Sequence, residues 1–111
     1  MQPAIRIDCF THVMPRAYHA ALRPHLPPGD DLARLLDAMP DIVDPRLRLK
    51  VMDRHSVDAQ VITLSSPPVE VLVHDPEQAA ALARGANDEI AEIAATSGGR
   101  FIPVGTVAMN H

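Results

Sequence analysis

The chain has 111 residues and a formal net charge of −4 at pH 7. This length corresponds to one domain, so two independent cores are not expected. Apolar residues make up 47% of the chain and aromatic residues only 3%, which predicts a globular core of aliphatic side chains. Acidic and basic residues are interleaved, and without a basic stripe the sequence excludes nucleic acid as an expected partner.

The sequence predicts no association with membranes. No apolar run approaches the roughly 20 residues that a membrane span requires, and the first residues lack the pattern of a secretion signal. A cytoplasmic location is the resulting expectation. The single cysteine, Cys9, cannot form an internal disulfide, which agrees with a reducing compartment.

The first half of the chain predicts one strand followed by short helices. In "AIRIDCF", Ile5, Ile7 and Phe10 form a β-prone run that is expected to stop at the polar residues Thr11 and His12. "RAYHAAL" predicts a short helix, and the proline-rich "RPHLPPGDD" predicts irregular structure. "DDLARLLDAM" has apolar residues at helical spacing and predicts a short amphipathic helix.

The second half predicts two longer helices and two strands. Asp44 and Asp75 are candidate N-caps, each followed by a proline at the first helical position, in "DPRLRLKVMDRHSV" and "DPEQAAALARGANDEIAEIAATSGG". Gly98 is expected to stop the second of these helices. "DAQVITL" predicts a nearly all-apolar strand that ends at the prolines of "SSPP", and "RFIPVGTVAMN" predicts a third strand.

The order of these segments predicts an α/β fold of parallel β-strands joined by crossover helices. No two predicted strands are separated by a turn short enough for a hairpin, and connections of this length make the strands parallel. In such folds, functional groups collect at the carboxyl ends of the strands. Here those ends read "DCFTH", "SSPP" and "AMN".

Residues at these three ends are the candidates for chemistry. His12 lies two residues after Phe10, so both side chains should project to the same side, and an imidazole there could ligate zinc. The alternative is a histidine whose nitrogens are satisfied by hydrogen bonds of the loop. Ser66 and Asn110 could bind substrate or could simply stabilise turns. Cys9 is expected to be a small buried residue rather than a nucleophile.

Several motifs together resemble a known family. "IDCFTHVMP", "RAYHAAL", "DPRLRLKVMDRHSVDAQVITLSSPPVE", "ARGANDEIAE" and "RFIPVGTVAMN" are similar to segments of the amidohydrolase-related family that contains aminocarboxymuconate semialdehyde decarboxylase. The resemblance covers nearly the whole chain. The combination of a histidine on strand one, "SSPP" after strand two and "MN" at the end of strand three is more specific than any single motif.

The resemblance implies the first three strands of a (β/α)₈ TIM barrel with a divalent metal, usually zinc, at its mouth. A barrel of this type needs about 250 residues, so residues 1–111 are expected to be the amino-terminal part of a single, truncated domain. His12 corresponds to the second of two metal ligands on strand one, and Phe10 occupies the position of the first. Phe10, Ser66 and Asn110 are expected to line the substrate pocket. The catalytic residues are not identified.

The implied activity is non-oxidative decarboxylation or hydrolysis of a small carboxylated or cyclic substrate. By itself the chain is expected to be inactive, because one candidate ligand cannot hold a catalytic metal. The alternative is a non-catalytic α/β module or truncated homologue that acts through self-association. Three parallel strands leave a strand edge unpaired, so the isolated fragment is expected to be a truncated product, to persist by self-association or to depend on the missing part. The expected assembly is a homo-oligomer.

Overall fold

The computed structural model describes residues 2–110, apart from the side chain of residue 33. These residues form three strands and five helices. The strands are β1 (Ile7–Val13), β2 (Ala59–Leu64) and β3 (Phe101–Pro103); the helices are α1 (Arg16–Leu22), α2 (Leu32–Ala38), α3 (Pro45–Arg54), α4 (Val69–Leu72) and α5 (Pro76–Ala95). The segment between α1 and α2 contains only one 3₁₀ turn, as its prolines predict.

The three strands form one sheet in the order β1-β2-β3, and both pairs are parallel. Ile7 lies beside Ala59 at one end of the first pair, and Val13 lies beside Leu64 at the other. The carboxyl ends of the strands therefore share one edge of the sheet. This arrangement confirms the predicted α/β class with parallel strands and crossover helices.

Strand β1 continues past the residues at which it was expected to stop. Thr11 and His12 belong to the strand, which ends at Val13. The prediction was wrong because β2 satisfies both polar side chains. The Thr11 hydroxyl donates a 2.6 Å hydrogen bond to the Val61 carbonyl, and His12 contacts the Thr63 hydroxyl.

A bulge interrupts the pairing of β1 with β2. Asp8 lies beside Gln60 and Thr11 lies beside Ile62, so two residues of β1 oppose the single residue between those partners on β2. The Asp8 carboxylate accepts a 3.1 Å hydrogen bond from the Phe10 amide across the bulge. Cys9, within the bulge, is exposed, so the expectation of a buried cysteine was wrong.

Both long helices begin as the sequence predicts. The Asp44 carboxylate accepts a hydrogen bond from the amide of the second residue of α3, and the Asp75 carboxylate accepts one from the amide of Gln78 in α5.

Among residues 2–110, no helix combines the length and apolar character that a membrane crossing requires. Helix α3 buries Arg48 and Met52, while His55 at its end is exposed.

The helices α3 and α5 pack against the same face of the sheet. Ile62, at the centre of β2, has no exposed surface and belongs to a cluster with Met52 of α3 and Ile90 of α5. A second cluster joins α1, α2, α4 and α5 beyond the end of β1. The opposite face of the sheet is more open, since Phe10 and Ile102 are exposed there.

Strand β3 is shorter than predicted. It ends at Pro103, and residues 104–108 have no regular structure. The side chain of Asn87 on α5 holds this segment, because it donates to the Thr106 carbonyl at 2.8 Å and accepts from the Thr106 amide at 2.7 Å. These two bonds replace the pairing that a longer strand would make with β2, which itself ends at Leu64.

Asp44 is expected to make the fold sensitive to acid. The hydrogen bond from the Arg46 amide, helped by the charges of Arg46 and Arg16, lowers the pKa of Asp44. A lowered pKa stabilises the fold above the pKa of the unfolded chain, and this contribution is lost as the pH falls through the folded value, below about pH 4. Asp44→Asn keeps a capping oxygen that does not titrate. We expect this variant to lose less stability than the parent during urea denaturation at successively lower pH, whereas equal losses would contradict the assignment.

Candidate functional site

His12 lies at the carboxyl end of β1, on the edge where the predicted site residues were expected. Its imidazole is half-buried and contacts the ring of Phe10, with ring centroids 5.1 Å apart and planes at 77°. This contact confirms that the two side chains project to the same side. Phe10 is 83% exposed, so its ring is available to a ligand or to another segment of protein.

The hydrogen bonds of Thr63 determine which nitrogen of His12 carries the proton. The Thr63 hydroxyl donates its single hydrogen to the Thr11 carbonyl, 3.0 Å away. Towards the Nδ1 atom of His12, at 2.8 Å, the same hydroxyl can then only accept. In the neutral imidazole, Nδ1 therefore holds the proton and Nε2 keeps a free lone pair. A metal-ligating histidine requires this state, in which the other ring nitrogen is held by a protein group.

A buried arginine holds the main chain of His12. The Nη2 atom of Arg48 donates a 2.6 Å hydrogen bond to the His12 carbonyl, and Nη1 donates to Gln60 at 3.2 Å. Burial lowers the pKa of Arg48 because it removes water from the charged group, and the charges of Asp41 and Asp8 oppose this shift. The guanidinium thus connects α3 to the end of β1 and to β2.

An open cleft of about 300 Å³ lies beside His12. Its walls combine aromatic, imidazole, carboxylate and guanidinium groups. The lining includes Asp8, Phe10, His12, Met39, Asp41 and Arg48. A small molecule bound there would lie next to the predicted metal ligand.

The structure places Ser66 near the end of β1 and Asn110 beside the link between α4 and α5. The amide of Ser65 donates to the Val13 carbonyl at 2.9 Å, so the "SSPP" loop starts beside the end of β1, and the Ser66 side chain is exposed. The Asn110 amide lies 3.4 Å and 3.3 Å from the carbonyls of Val73 and His74, between α4 and α5. Substrate binding by Phe10, Ser66 and Asn110 stays a prediction.

Within residues 2–110, no three histidine, cysteine, aspartate or glutamate side chains converge in a way that could hold a metal ion. His12 fits one position of such a site through Nε2. Phe10, at the position of the other strand-one ligand in the resembling family, has no donor atom. A complete site therefore needs ligands other than those in the described part of the chain.

Sequence reasoning missed Thr63 and Arg48. Thr63 lies in an apolar strand, where a β-branched residue needs no functional explanation. Arg48 is one of three basic residues in "PRLRLK", and the other two, Arg46 and Lys50, are exposed. The only signal was its position four residues before the buried Met52, which places both on one face of α3.

Comparison with known proteins found sequence relatives of one kind. The chain matches no family model. It is 37% identical over 75 residues to gamma-resorcylate decarboxylase from Rhizobium radiobacter, which covers 68% of this chain and 22% of that protein. It is 41% identical over 69 residues to gamma-resorcylate decarboxylase from Rhodococcus jostii, a match that covers 62% of this chain and 19% of that protein.

Solved structures agree with the sequence relatives. The 5-carboxyvanillate decarboxylase from Sphingomonas paucimobilis superposes with a TM-score of 0.76 at 30% identity, over 96% of this chain and 36% of that one. The Novosphingobium aromaticivorans enzyme of the same name superposes with a TM-score of 0.73 at 27% identity, over 94% of this chain and 34% of that one. It was solved with manganese and 4-hydroxy-3-methoxy-5-nitrobenzoic acid.

The chain is similar in sequence and structure to these decarboxylases, in agreement with the resemblance found in its sequence. Its three parallel strands and their helices correspond to part of the TIM barrel of these enzymes, which confirms the fold that the resemblance implied. The chain spans about a fifth of the length of the curated decarboxylases that it matches. Solved decarboxylases of this group contain a divalent metal, manganese in the example above.

Proposed function

We propose that the protein containing this chain is a metal-dependent enzyme that removes carbon dioxide from an aromatic carboxylate without oxidation. The observation that carries the proposal is the position of His12. Its Nε2 atom is free to bind a metal at the carboxyl end of β1, in a chain whose relatives are decarboxylases of aromatic acids. Hydrolysis, the other reaction implied by the sequence resemblance, has no support among these relatives.

The proposed cofactor is a divalent cation. Zinc is the metal implied by the sequence resemblance, and manganese is present in a solved relative, so both are candidates. His12 would bind the cation through Nε2, with further ligands from outside residues 2–110. The bound metal would polarise a substrate oxygen and offset the negative charge that develops during the reaction.

Residues of this chain would shape one side of the substrate pocket. The exposed ring of Phe10, held against His12, offers an apolar surface on which an aromatic substrate could stack. The Ser66 hydroxyl can donate a hydrogen bond to a carboxylate or phenol oxygen. The Asn110 side-chain nitrogen already faces the carbonyls of Val73 and His74, so this residue would offer its side-chain oxygen to a phenol hydroxyl. In this proposal, residues 1–111 form the amino-terminal part of a single barrel domain.

The decarboxylase proposal is tested with the protein expressed from its natural reading frame. Metal is removed with a chelator, and the protein is then incubated with 2,6-dihydroxybenzoate or 5-carboxyvanillate, with and without Mn²⁺ or Zn²⁺. We expect release of carbon dioxide only when metal is restored. Absence of turnover with both acids and both metals would contradict the proposal.

A second proposal is that the protein is a homo-oligomer, with or without catalytic activity. Apart from Phe10, large apolar side chains are exposed in this part of the chain, among them Ile102 (40% exposed) and Met109 (77%). Light scattering over a range of concentrations tests this proposal, and a monomer at all of them would contradict it. The cytoplasmic location stays a prediction, which fractionation of cells would test.

Thr63→Val is expected to weaken metal binding. The change removes the hydroxyl that accepts from Nδ1 of His12, so the ring loses both its fixed tautomer and its orientation. We expect the dissociation constant for Mn²⁺ to rise by about 10- to 100-fold, as is typical when a partner of a ligating histidine is lost. Thr63→Ser keeps the hydroxyl and serves as the matched control. If both variants bound Mn²⁺ like the parent, the tautomer assignment would be wrong.

A further inference from the structure

The carbonyl of His12 points away from β2, towards the open side of β1. Val13, the next residue, accepts a hydrogen bond from the Ser65 amide on the side of β2. Because successive carbonyls of a strand point in opposite directions, the His12 carbonyl faces the open side of β1. No strand lies on that side in residues 2–110, since the sheet order is β1-β2-β3. A buried carbonyl there needs another donor.

Arg48 supplies that donor. Its Nη2 atom lies 2.6 Å from the His12 carbonyl, while Nη1 and Nε bond the Gln60 side chain and the Asp41 carbonyl, each at 3.2 Å. Two residues beyond His12, the Met14 amide donates to the Ile42 carbonyl at 2.8 Å. The open side of β1 is thus held at its carboxyl end by α3 and by the turn that precedes it.

The ladder between β1 and β2 is interrupted shortly before His12 and resumes at Thr11. The bulge between Asp8 and Thr11 breaks the register immediately before His12. A bulge bends its strand and increases the local twist, so the direction in which His12 projects depends on how the bend is held. The planar guanidinium of Arg48, bonded at three points, holds the strand directly after this bend.

We infer that Arg48 is a positioning residue: by bonding the main chain of His12, it fixes the position and orientation of the imidazole for metal binding. The inference rests on the proposed function, because it assumes that His12 binds metal. Arg48 is buried, with only 7% of its surface exposed, and burying a charge is costly. A residue that only filled this position would need no charge, whereas a rigid fork that reaches three acceptors in different segments requires arginine.

Arg100 provides a matched control at the opposite end of the sheet. It also donates to two carbonyls, those of Asp58 at 2.7 Å and Val57 at 3.0 Å, and it pairs with the Asp53 carboxylate at 2.9 Å. Val57 and Asp58 lie directly before β2, at the edge of the sheet opposite the carboxyl ends, and Asp53 lies near the end of α3. Arg100 therefore ties the fold together in a similar way without contacting the chain around His12.

The experiment compares Arg48→Met, Arg48→Lys and Arg100→Met in the protein expressed from its natural reading frame. The Mn²⁺ dissociation constant is measured by electron paramagnetic resonance of the free ion, and thermal unfolding of the metal-free protein is measured in parallel. We expect Arg48→Met to weaken Mn²⁺ binding by about 10- to 100-fold. Arg48→Lys keeps the charge but cannot reach three acceptors, so its dissociation constant for Mn²⁺ should lie between those of the parent and Arg48→Met. Arg100→Met should lower the unfolding temperature and leave the dissociation constant unchanged.

The His12 ring supplies a readout that does not depend on metal. In the metal-free Arg48 variants, its proton resonance should shift or broaden, and in Arg100→Met it should stay as in the parent. If Arg48→Met did not fold, Arg48→Lys would decide, since parental Mn²⁺ binding and an unchanged His12 resonance would overturn the inference. Failure of the proposed function itself would be seen separately, as Mn²⁺ binding that is unaffected by His12→Ala.

Discussion

His12→Ala is expected to abolish metal-dependent turnover. Nε2 of His12 is the donor that this part of the chain offers at the carboxyl end of β1, and alanine provides no replacement. Loss of a direct ligand should weaken Mn²⁺ binding by more than the roughly 10- to 100-fold expected when an outer partner is lost. Bound metal after dialysis and kcat/KM for an aromatic carboxylate measure the two effects.

His55→Ala is the matched control for this substitution. His55 is exposed at the end of α3, and its replacement removes an imidazole without disturbing β1. We expect it to retain parental metal content and turnover. A His12→Ala protein that is folded, binds the full complement of metal and keeps its kcat/KM would show that His12 is not a ligand.

Ile62→Ala is expected to cause the largest loss of stability. Ile62 is completely buried at the centre of β2 and packs in the cluster formed with Val13, Met52, Ile90 and Phe101. Removing three carbon atoms there loses apolar burial and leaves a cavity between the sheet and two helices, which costs about 2–5 kcal/mol. Urea denaturation of the metal-free protein measures the change in the free energy of unfolding.

Two further variants define the scale of this effect. Ile62→Val removes one carbon atom from the same position and should cost about 0.5–1.5 kcal/mol. Val71→Ala removes apolar atoms from a side chain that is 58% exposed, and its effect should stay within about 0.5 kcal/mol. Equal losses for Ile62→Ala and Val71→Ala would show that the cluster around Ile62 does not stabilise the fold as described.

Local sequence signals predicted the order and type of most elements. Asp44-Pro45 and Asp75-Pro76 each combine a capping carboxylate with a residue whose backbone is already suited to the first helical turn, so the helix starts are encoded within four residues. The parallel arrangement followed from the length of the connections. The packing of α3 and α5 on one face follows from the same crossover geometry.

The candidate site was only partly accessible from the sequence. His12 and Phe10 were identified because they are two residues apart at the end of a predicted strand, and their ring contact depends mainly on that spacing. Ser66 is the second residue after β2, so its position near the end of β1 also follows from a parallel sheet. Asn110 was expected at the end of a strand, but β3 ends at Pro103 and the segment in between is held by Asn87 instead.

The sequence by itself determined the type of most elements and the histidine at the strand end, because these depend on residues close in the chain. It also determined the parallel order, because that order depends on the length of the connections between strands. Only the tertiary structure decided how far β1 extends, where Cys9 lies, and how His12 is held. Those features depend on Thr63 and Arg48, which are 51 and 36 residues away from His12. A hydroxyl or a guanidinium has no preferred partner in the sequence. It acquires one when folding removes water and leaves each buried polar group to find its bond within the protein.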